Sequence, residues 1–482
     1  MGETRDKNYR IFPGETMMDA TRRQRLILLI LGLIVIRGLI YSILIPYDHA
    51  PDEAHHFQLI KAKALQLRHA SVEEQRQIAA QVQLTWCYLF YPESCPDKRS
   101  LQDFLGSKLP SPPPSSQLYY LLTAGTLNIL SLENIRDEVY VVRGLSILCG
   151  LLIVVFAVLV MQEIFPDKLS LSVGVPAFMT FIPQFSAMNG VITNDKFAEV
   201  FVALMFWMIV KILKNGMRRS YLAIYLLSMG FALLSKRTAL FVFPVFLVLL
   251  LSYYWKGSLG LWFHLVLIAV FLGIALGTNS LAWYVDEIRK STENPVIHFL
   301  REYLIWVSPS ALTHFLSTLV SSESLKYYAK FFIVMYWSFW GLFGYMTIHL
   351  HHFWYLLTAF GQALAGCGIV SVVWRVKVKR IAFPQWQAKI LYVFGISIFF
   401  AVLLPFLRFV VVRGYDPMLP QGRYLFPVLI PISLLTLVGL EQIVGARYHR
   451  LVGTIGLIGL LLLDMVSLSK YILLNFHGLS LF

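Results

Sequence analysis

Charge is scarce in this chain. Only 14% of its 482 residues are Asp, Glu, Lys or Arg, against 57% hydrophobic, which is far too apolar for a protein with water on every side. A soluble enzyme is thereby excluded and an all-α polytopic membrane protein implied. Cysteine is scarce too, with four residues, which excludes a disulfide scaffold. Cys149 and Cys367 lie inside apolar runs, whereas Cys87 and Cys95 share the one long polar segment and would bridge if that segment faces an oxidising compartment. Acids are outnumbered, 27 to 41 Lys plus Arg, for a formal net charge of +14. The bases do not form the broad patch of a nucleic-acid binder. They sit in short clusters between apolar runs, the placement that orients a chain in a membrane, so no nucleic-acid partner is expected. No internal repeat is visible, whereas inverted repeats mark many transporters.

What the chain has is apolar runs of bilayer length. Residues 1–25 form a polar, basic tail, and Leu26 to Ile45 is about as long as a bilayer is thick. That run is too long for a signal-peptide core and lacks a clear cleavage site, so it reads as an uncleaved anchor. Arg22, Arg23 and Arg25 put the N-terminus in the cytoplasm and the stretch after residue 45 outside. Further spans are expected near 143–163, 169–188, 197–213, 220–235, 239–255, 259–280, 353–374, 388–412, 423–440 and 451–470, about eleven in all, with the C-terminus outside. The basic clusters at 211–219, at Lys256, at 375–380 and at Arg447 with Arg450 then all fall inside, where the charge rule wants them. Arg37, in mid-span, needs a partner or a polar cavity. The chain divides into the tail, a core over 26–240 and a second membrane half over 241–482 that contains an external segment, 281–352. The expected setting is a bacterial cytoplasmic (inner) membrane.

The stretch Pro46 to Phe57, PYDHAPDEAHHF, comes directly after the first span and brings acids and histidines to the membrane surface. Charged groups there are costly unless used. Pro51 suits a helix start, with Asp52 and Glu53 in the first turn and Asp52 sharing a face with His56 four residues on. The plain alternative is a capped helix leaving the membrane. The external segment it opens, 47–137, has helical periodicity over 54–67 and 118–130, read as helices lying along the membrane surface, with the prolines at 110 and 112–114 between them.

The topology gathers on one side Asp52, Glu53 and Asp195, His55 and His56, Asn194, and the span-end bases Lys236, Arg237 and Arg423, the last in QGRYLFP with Gln421 and Tyr424. A carboxylate beside cations at a lipid surface suits transfer of a sugar from a polyprenyl phosphate. The acceptor hydroxyl must lose a proton, which a carboxylate takes, and the departing phosphate gathers negative charge, which Lys and Arg offset. Singly, each piece has a plainer reading. Asn194 and Asp195 could cap the following span, Lys236 and Arg237 could snorkel to headgroups, and Arg423 could anchor a span. The aromatics Tyr336, Trp337, Phe339, Trp340, Phe343 and Tyr345 fit an interfacial belt better than a sugar platform. A divalent cation, Mg²⁺ or Mn²⁺, shared by Asp52 and Asp195 is the less favoured arrangement, because two carboxylates are a sparse ligand set.

PDEAHHF (51–57), FIPQFSAMNGVITND (181–195), ALLSKRTAL (232–240), SFWGLFGYM (338–346) and QGRYLFP (421–427) together resemble a GT-C-type membrane glycosyltransferase. The resemblance is closest to a bacterial family of polytopic membrane proteins of unknown function in that clan. It implies a GT-C-like helix bundle with interfacial helices in the first external loop. Asp52 or Glu53 then matches the family's first-loop acid, the base, and Lys236 and Arg423 match positions that touch the lipid phosphate. One departure stands out: Ser115, Ser116 and Gln117 precede Leu118, Tyr119 and Tyr120 where the family tends to have a Pro-Pro pair before its Leu-Tyr-Tyr. The leading expectation is therefore an inverting glycosyltransferase that moves a sugar from a polyprenyl-phosphate donor, held with membrane lipid, to a cell-surface glycan, lipid or protein. A polysaccharide polymerase, a lipid-linked glycan transporter and a non-catalytic assembly subunit are the alternatives. A transporter should carry polar residues through the bilayer, and few are seen beyond Arg37, Glu163, Arg408 and Asp464.

Overall fold

The computed structural model describes residues 20–85, 87, 100–110, 117–254, 322–378, 384–409, 418, 420–444 and 448–479. The protein is an all-α polytopic membrane protein, whose described residues include one short hairpin of β1 (Leu342–Phe343) and β2 (Ile348–His349). Among the described residues six helical runs are long and apolar enough to cross a bilayer, or seven if one bent pair of helices counts as a single span, against the eleven or so expected for the whole chain. In chain order the elements begin with α1 (Ala20–Leu44), the first of those runs, followed by α2 (Glu53–Leu67), α3 (Val72–Thr85) and α4 (Gln117–Leu130). The second run is α5 (Ile135–Ile164), capped by the Asn134 side chain, which accepts the Arg136 N–H, with Asp137 and Glu138 in the first turn. Next come α6 (Leu169–Thr180), α7 (Pro183–Asn189), α8 (Asn194–Asn215), α9 (Arg219–Ser235) and α10 (Val242–Tyr254). Beyond α11 (Ser322–Trp340) and the hairpin lie α12 (His352–Lys377), α13 (Gln385–Leu407), a 3₁₀ turn Gly422–Val428 leading into α14 (Leu429–Ile443), and α15 (His449–Val466).

Three local expectations change. The span expected at 169–188 is two helices bent by 65°, because Ile182 is extended ahead of Pro183, which opens α7. The span expected at 239–255 starts with a 3₁₀ turn, Arg237–Phe241. The polar helix α3 was not expected; its start is held by Ser71 Oγ, which accepts the Glu74 N–H at 3.1 Å. The expected span 259–280, Pro112 to Pro114, Cys95 and the Arg237 side chain lie outside the described residues. Cys87 is disulfide-bonded, while Cys149 and Cys367 are free.

The main core joins α1, α5, α6, α8, α10, α13 and α14, and a smaller apolar cluster lies beneath α2 and α4, with Phe57, Tyr119, Tyr120, Val142 and Ile192. Large apolar side chains remain exposed on α1, α12 and α15, as lipid-facing surfaces require. Arg37 finds its partner inside this core: it forms a buried ion pair with Asp464, donates to Ser186 Oγ at 2.9 Å, and the Tyr41 hydroxyl donates to Asp464 at 2.8 Å. A charge that would be costly alone in the bilayer thus ties α1 to α7 and α15.

Two glycines in the motif stretches let backbones meet. A Cβ on Gly190, just after α7, would stand 2.6 Å from the Ser42 nitrogen of α1, and one on Gly422 would stand 2.1 Å from the Phe339 nitrogen of α11. The second contact seats the QGRYLFP turn against α11, where Ser338 Oγ accepts the Gly422 N–H at 2.6 Å. Arg423 is the next residue.

Candidate active site

The site is where the loop before α2, the start of α8, the end of α9 and the Gly422–Val428 turn converge. Helix α2 begins at Glu53, two residues after the start expected at Pro51, and Asp52 occupies the N-cap position in a left-handed conformation, φ 65°, making no side-chain cap. The capping role falls to Asp48, whose Oδ1 accepts the Ala54 N–H at 3.2 Å. The Asp52 carboxylate is thereby left for another partner: Oδ2 accepts from Arg423 Nη2 at 2.8 Å, while Arg423 Nη1 donates to the Pro51 carbonyl at 3.3 Å. Arg423 lies between two acids, because Nη1 is also 3.5 Å from Asp195 Oδ2.

Asp195 stands in the first turn of α8, which Thr193 caps by accepting the Asp195 N–H at 3.2 Å. Its other oxygen is 2.8 Å from Lys236 Nζ, and the same ammonium donates to Asn194 Oδ1 at 2.8 Å. Four residues that are remote in sequence therefore form one chain of alternating charge: Asp52, Arg423, Asp195, Lys236. Exposure separates the two acids. The Asp52 side chain is 57% exposed and the Asp195 side chain 7%. Burial would raise the Asp52 pKa, but the Arg423 charge and hydrogen bond, with Lys236 and His56 behind them, outweigh it and hold the carboxyl below its ordinary range.

Glu53 is held quite differently. Arg143 clasps it with two hydrogen bonds of 2.8 Å, and the backbone N–H groups of Asp48 and Ile192 each donate to it at 3.0 Å. Arg143 also donates to the carbonyls of Ser42 and Ile45. This buried node pins α1, α2, α5 and the approach to α8 together. Sequence reasoning missed Arg143, although an arginine in a largely apolar helix signals a buried acid partner. It also missed Lys196 and Glu199, both buried, paired at 2.9 Å and separated by three positions, with the Lys196 ammonium 3.8 Å from the Phe185 ring centroid.

The other residues singled out lie around this centre. His55 is exposed and its ring tilts against that of His56. His56 is buried and bonded to Tyr120 rather than to Asp52, with Nδ1 2.7 Å from the phenol oxygen. Gln421 donates to the Met418 carbonyl at 2.7 Å, and the Tyr424 ring centroid lies 5.7 Å from the Arg423 guanidinium carbon. Of the aromatic string, Phe339, Trp340 and Phe343 are buried in packing, whereas the Tyr345 hydroxyl reaches back to Asp48 Oδ1 at 2.7 Å. No group of three or more His, Cys, Asp or Glu that could hold a metal occurs among the described residues. Asp52 and Asp195, with a guanidinium between them, do not present the cluster of oxygens that Mg²⁺ or Mn²⁺ requires.

Residues 127–283, roughly a third of the chain, match the family model described as dolichyl-phosphate-mannose-protein mannosyltransferase. No curated protein and no solved structure matches. The matched stretch carries Asp195 and Lys236. With the apolar helices, it supports a membrane glycosyltransferase of the GT-C type, in line with the resemblance in the motifs; it does not bear on the closer bacterial family.

Proposed function

We propose that the protein transfers a sugar, with inversion, from a polyprenyl-phosphate donor to a hydroxyl of a cell-surface glycan, lipid or protein at the extracytoplasmic face of the membrane. The observation that carries this reading is the single hydrogen bond on the exposed Asp52 carboxylate: its donor is Arg423, a buried cation that a lipid phosphate can also claim. The donor's phosphate takes Arg423 and Lys236, and Asp52, relieved of its arginine, faces the acceptor hydroxyl. The hydroxyl oxygen attacks the anomeric carbon from the side opposite the phosphate, its proton passes to Asp52, and the carbon–oxygen bond to the phosphate breaks. The two cations offset the charge on the departing phosphate. Asp195 stays ionised between them and sets their spacing. Glu53, with both oxygens occupied, fixes the start of α2 directly after the base.

The test is transfer by reconstituted protein from a panel of radiolabelled polyprenyl-phosphate sugars to a membrane extract. One donor sugar should be consumed, with the product anomer inverted, and Arg423→Ala should lower that transfer while the protein still folds. Full activity of Arg423→Ala, or a product of retained configuration, would count against the proposal.

A further inference from the structure

That transfer leaves one buried group beside the base unused. His56 is 5% exposed, its Nδ1 faces the Tyr120 hydroxyl at 2.7 Å, and its Nε2 is enclosed with no hydrogen-bond partner. Its backbone N–H donates to the Asp52 carbonyl at 2.9 Å, so one turn of chain sets the positions of ring and base together. The charged and titratable groups around the ring come from each element packed there. They are Asp52 and His55 beside it on its own turn, Tyr119 and Tyr120 from α4, Asp195 from α8, Lys236 after α9, and Arg423.

Burial, reinforced by Lys236 and only partly opposed by Asp52 and Asp195, pushes the imidazolium down to about 3, so the ring is neutral at physiological pH. A neutral ring carries one proton, and its position depends on Tyr120. Burial raises that phenol's pKa, so it keeps its hydrogen. If the phenol donates to Nδ1, the ring proton sits on Nε2, where it has no protein partner and is left for a ligand. In the reverse arrangement the phenol hydrogen is the one without a partner, and a bare Nε2 lone pair is left near the Asp52 and Asp195 carboxylates, which disfavours it.

We infer that His56, held by Tyr120 as the Nε2–H tautomer, is a neutral hydrogen-bond donor to an oxygen of the donor's glycosyl phosphate. The inference rests on reading this site as one for a polyprenyl-phosphate sugar. A neutral donor suits the place: it strengthens as charge gathers on the departing oxygen, and it adds no third cation to hold the ground-state phosphate or to weaken Asp52 as a base. Tyr120 acts through His56 and is a positioning residue.

The test uses the full-length reconstituted protein and two side-chain amides. A Gln amide nitrogen can stand where Nε2 stands, an Asn amide nitrogen where Nδ1 stands. His56→Ala should lower kcat on the order of 10²-fold with little change in KM, as removal of a donor that acts in the transition state does. His56→Gln should recover most of that loss and His56→Asn should not. Tyr120→Phe should cost on the order of 10-fold, the scale of a lost orienting partner. In a ¹⁵N spectrum of ring-labelled histidine, with His56 identified by difference from His56→Gln, Nε2 should carry the proton and Nδ1 should not, from pH 5 to 8. An imidazolium or an Nδ1–H tautomer would overturn the inference, as would equal activity of the Gln and Asn variants. Absence of transfer by the wild type from every polyprenyl-phosphate sugar would overturn the reading of the site itself.

Discussion

Asp52 and Glu53 each meet an arginine, and the two pairs differ in almost every other respect. Glu53 is wholly buried and receives four hydrogen bonds, two from Arg143 and two from backbone N–H groups. Asp52 is largely exposed and receives one, from Arg423. A carboxylate with every lone pair engaged in a dry environment holds elements in place, and removing either partner leaves an uncompensated charge. A carboxylate with one partner and an open side can exchange that partner for a substrate. On the proposed reading, two neighbouring acids of nearly identical chemistry divide architecture and catalysis between them, and the division follows from which hydrogen bonds the fold supplies to each.

The contrast would break most visibly in the rate. Asp52→Asn should reduce transfer by about two to four orders of magnitude, the loss typical of a well-placed general base. The protein should remain folded, because Asn tolerates the left-handed backbone of residue 52 as well as Asp does. Turnover and melting temperature measured on the same sample decide the matter, and a working but less stable variant would show that residue 52 merely supports the loop.

Glu53→Gln should show the complementary pattern. Breaking a buried pair by removing one charge costs about 3–5 kcal/mol, so thermal unfolding in detergent or lipid should shift strongly downward and folded yield should fall. Any protein that survives should keep measurable transfer. A variant with normal stability and no activity would reverse the roles assigned to the two acids.

What could be read in one dimension divides along the same line. The apolar runs, the helices α2 and α4, and the acids and bases that the fold gathers were legible in the sequence because each leaves a local mark: run length, period, or a charge at a span end. The pairing of those charges was not. Whether Arg423 meets Asp52 or lipid depends on the left-handed turn at residue 52 and on the close approach that Gly422 allows, and neither has a one-dimensional signature beyond the residue type. Pro183 carried a signal that the reading of 169–188 as one span did not use, and the helical spacing of Lys196 and Glu199 was likewise overlooked. Tyr120 lay in a noted motif, but its bond to His56 joins residues 64 positions apart.

His56 offers a smaller effect that separates a buried neutral ring from an ionised one. Its folded-state pKa, about 3, lies below the ordinary value of 6.5, so between those values the unfolded chain binds more protons and stability falls as pH falls. Its contribution is intact above about pH 6.5 and is progressively lost below it, by about 2 kcal/mol between pH 7 and pH 5. His56→Gln should flatten that part of the profile. An unchanged pH dependence of melting in the variant would mean the ring is already charged or solvated.

The smallest effect concerns how the second half of the chain steadies the loop that carries Asp52, the proposed base. Tyr345 lies in a run of three left-handed residues, Gly344, Tyr345 and Met346, a conformation that costs a non-glycine residue on the order of 1 kcal/mol or more and persists only where its surroundings hold it. The hydroxyl so placed donates to Asp48 Oδ1 at 2.7 Å, the same oxygen that receives the Ala54 N–H at the start of α2. Tyr345→Phe deletes one oxygen and keeps the ring, so the bond to Asp48 is lost while the ring packing stays. A typical hydrogen bond contributes about 1 kcal/mol, and stability should fall by about that amount. Asp48 also fixes the residues just before Asp52, so looser anchoring should misplace the base and lower turnover by a factor of a few, with donor affinity unchanged because Lys236 and Arg423 stand on other elements. Equal losses in turnover and donor affinity would place Tyr345 against the substrate itself, and a variant identical to wild type in both would show that the Asp48–Ala54 cap holds the loop unaided.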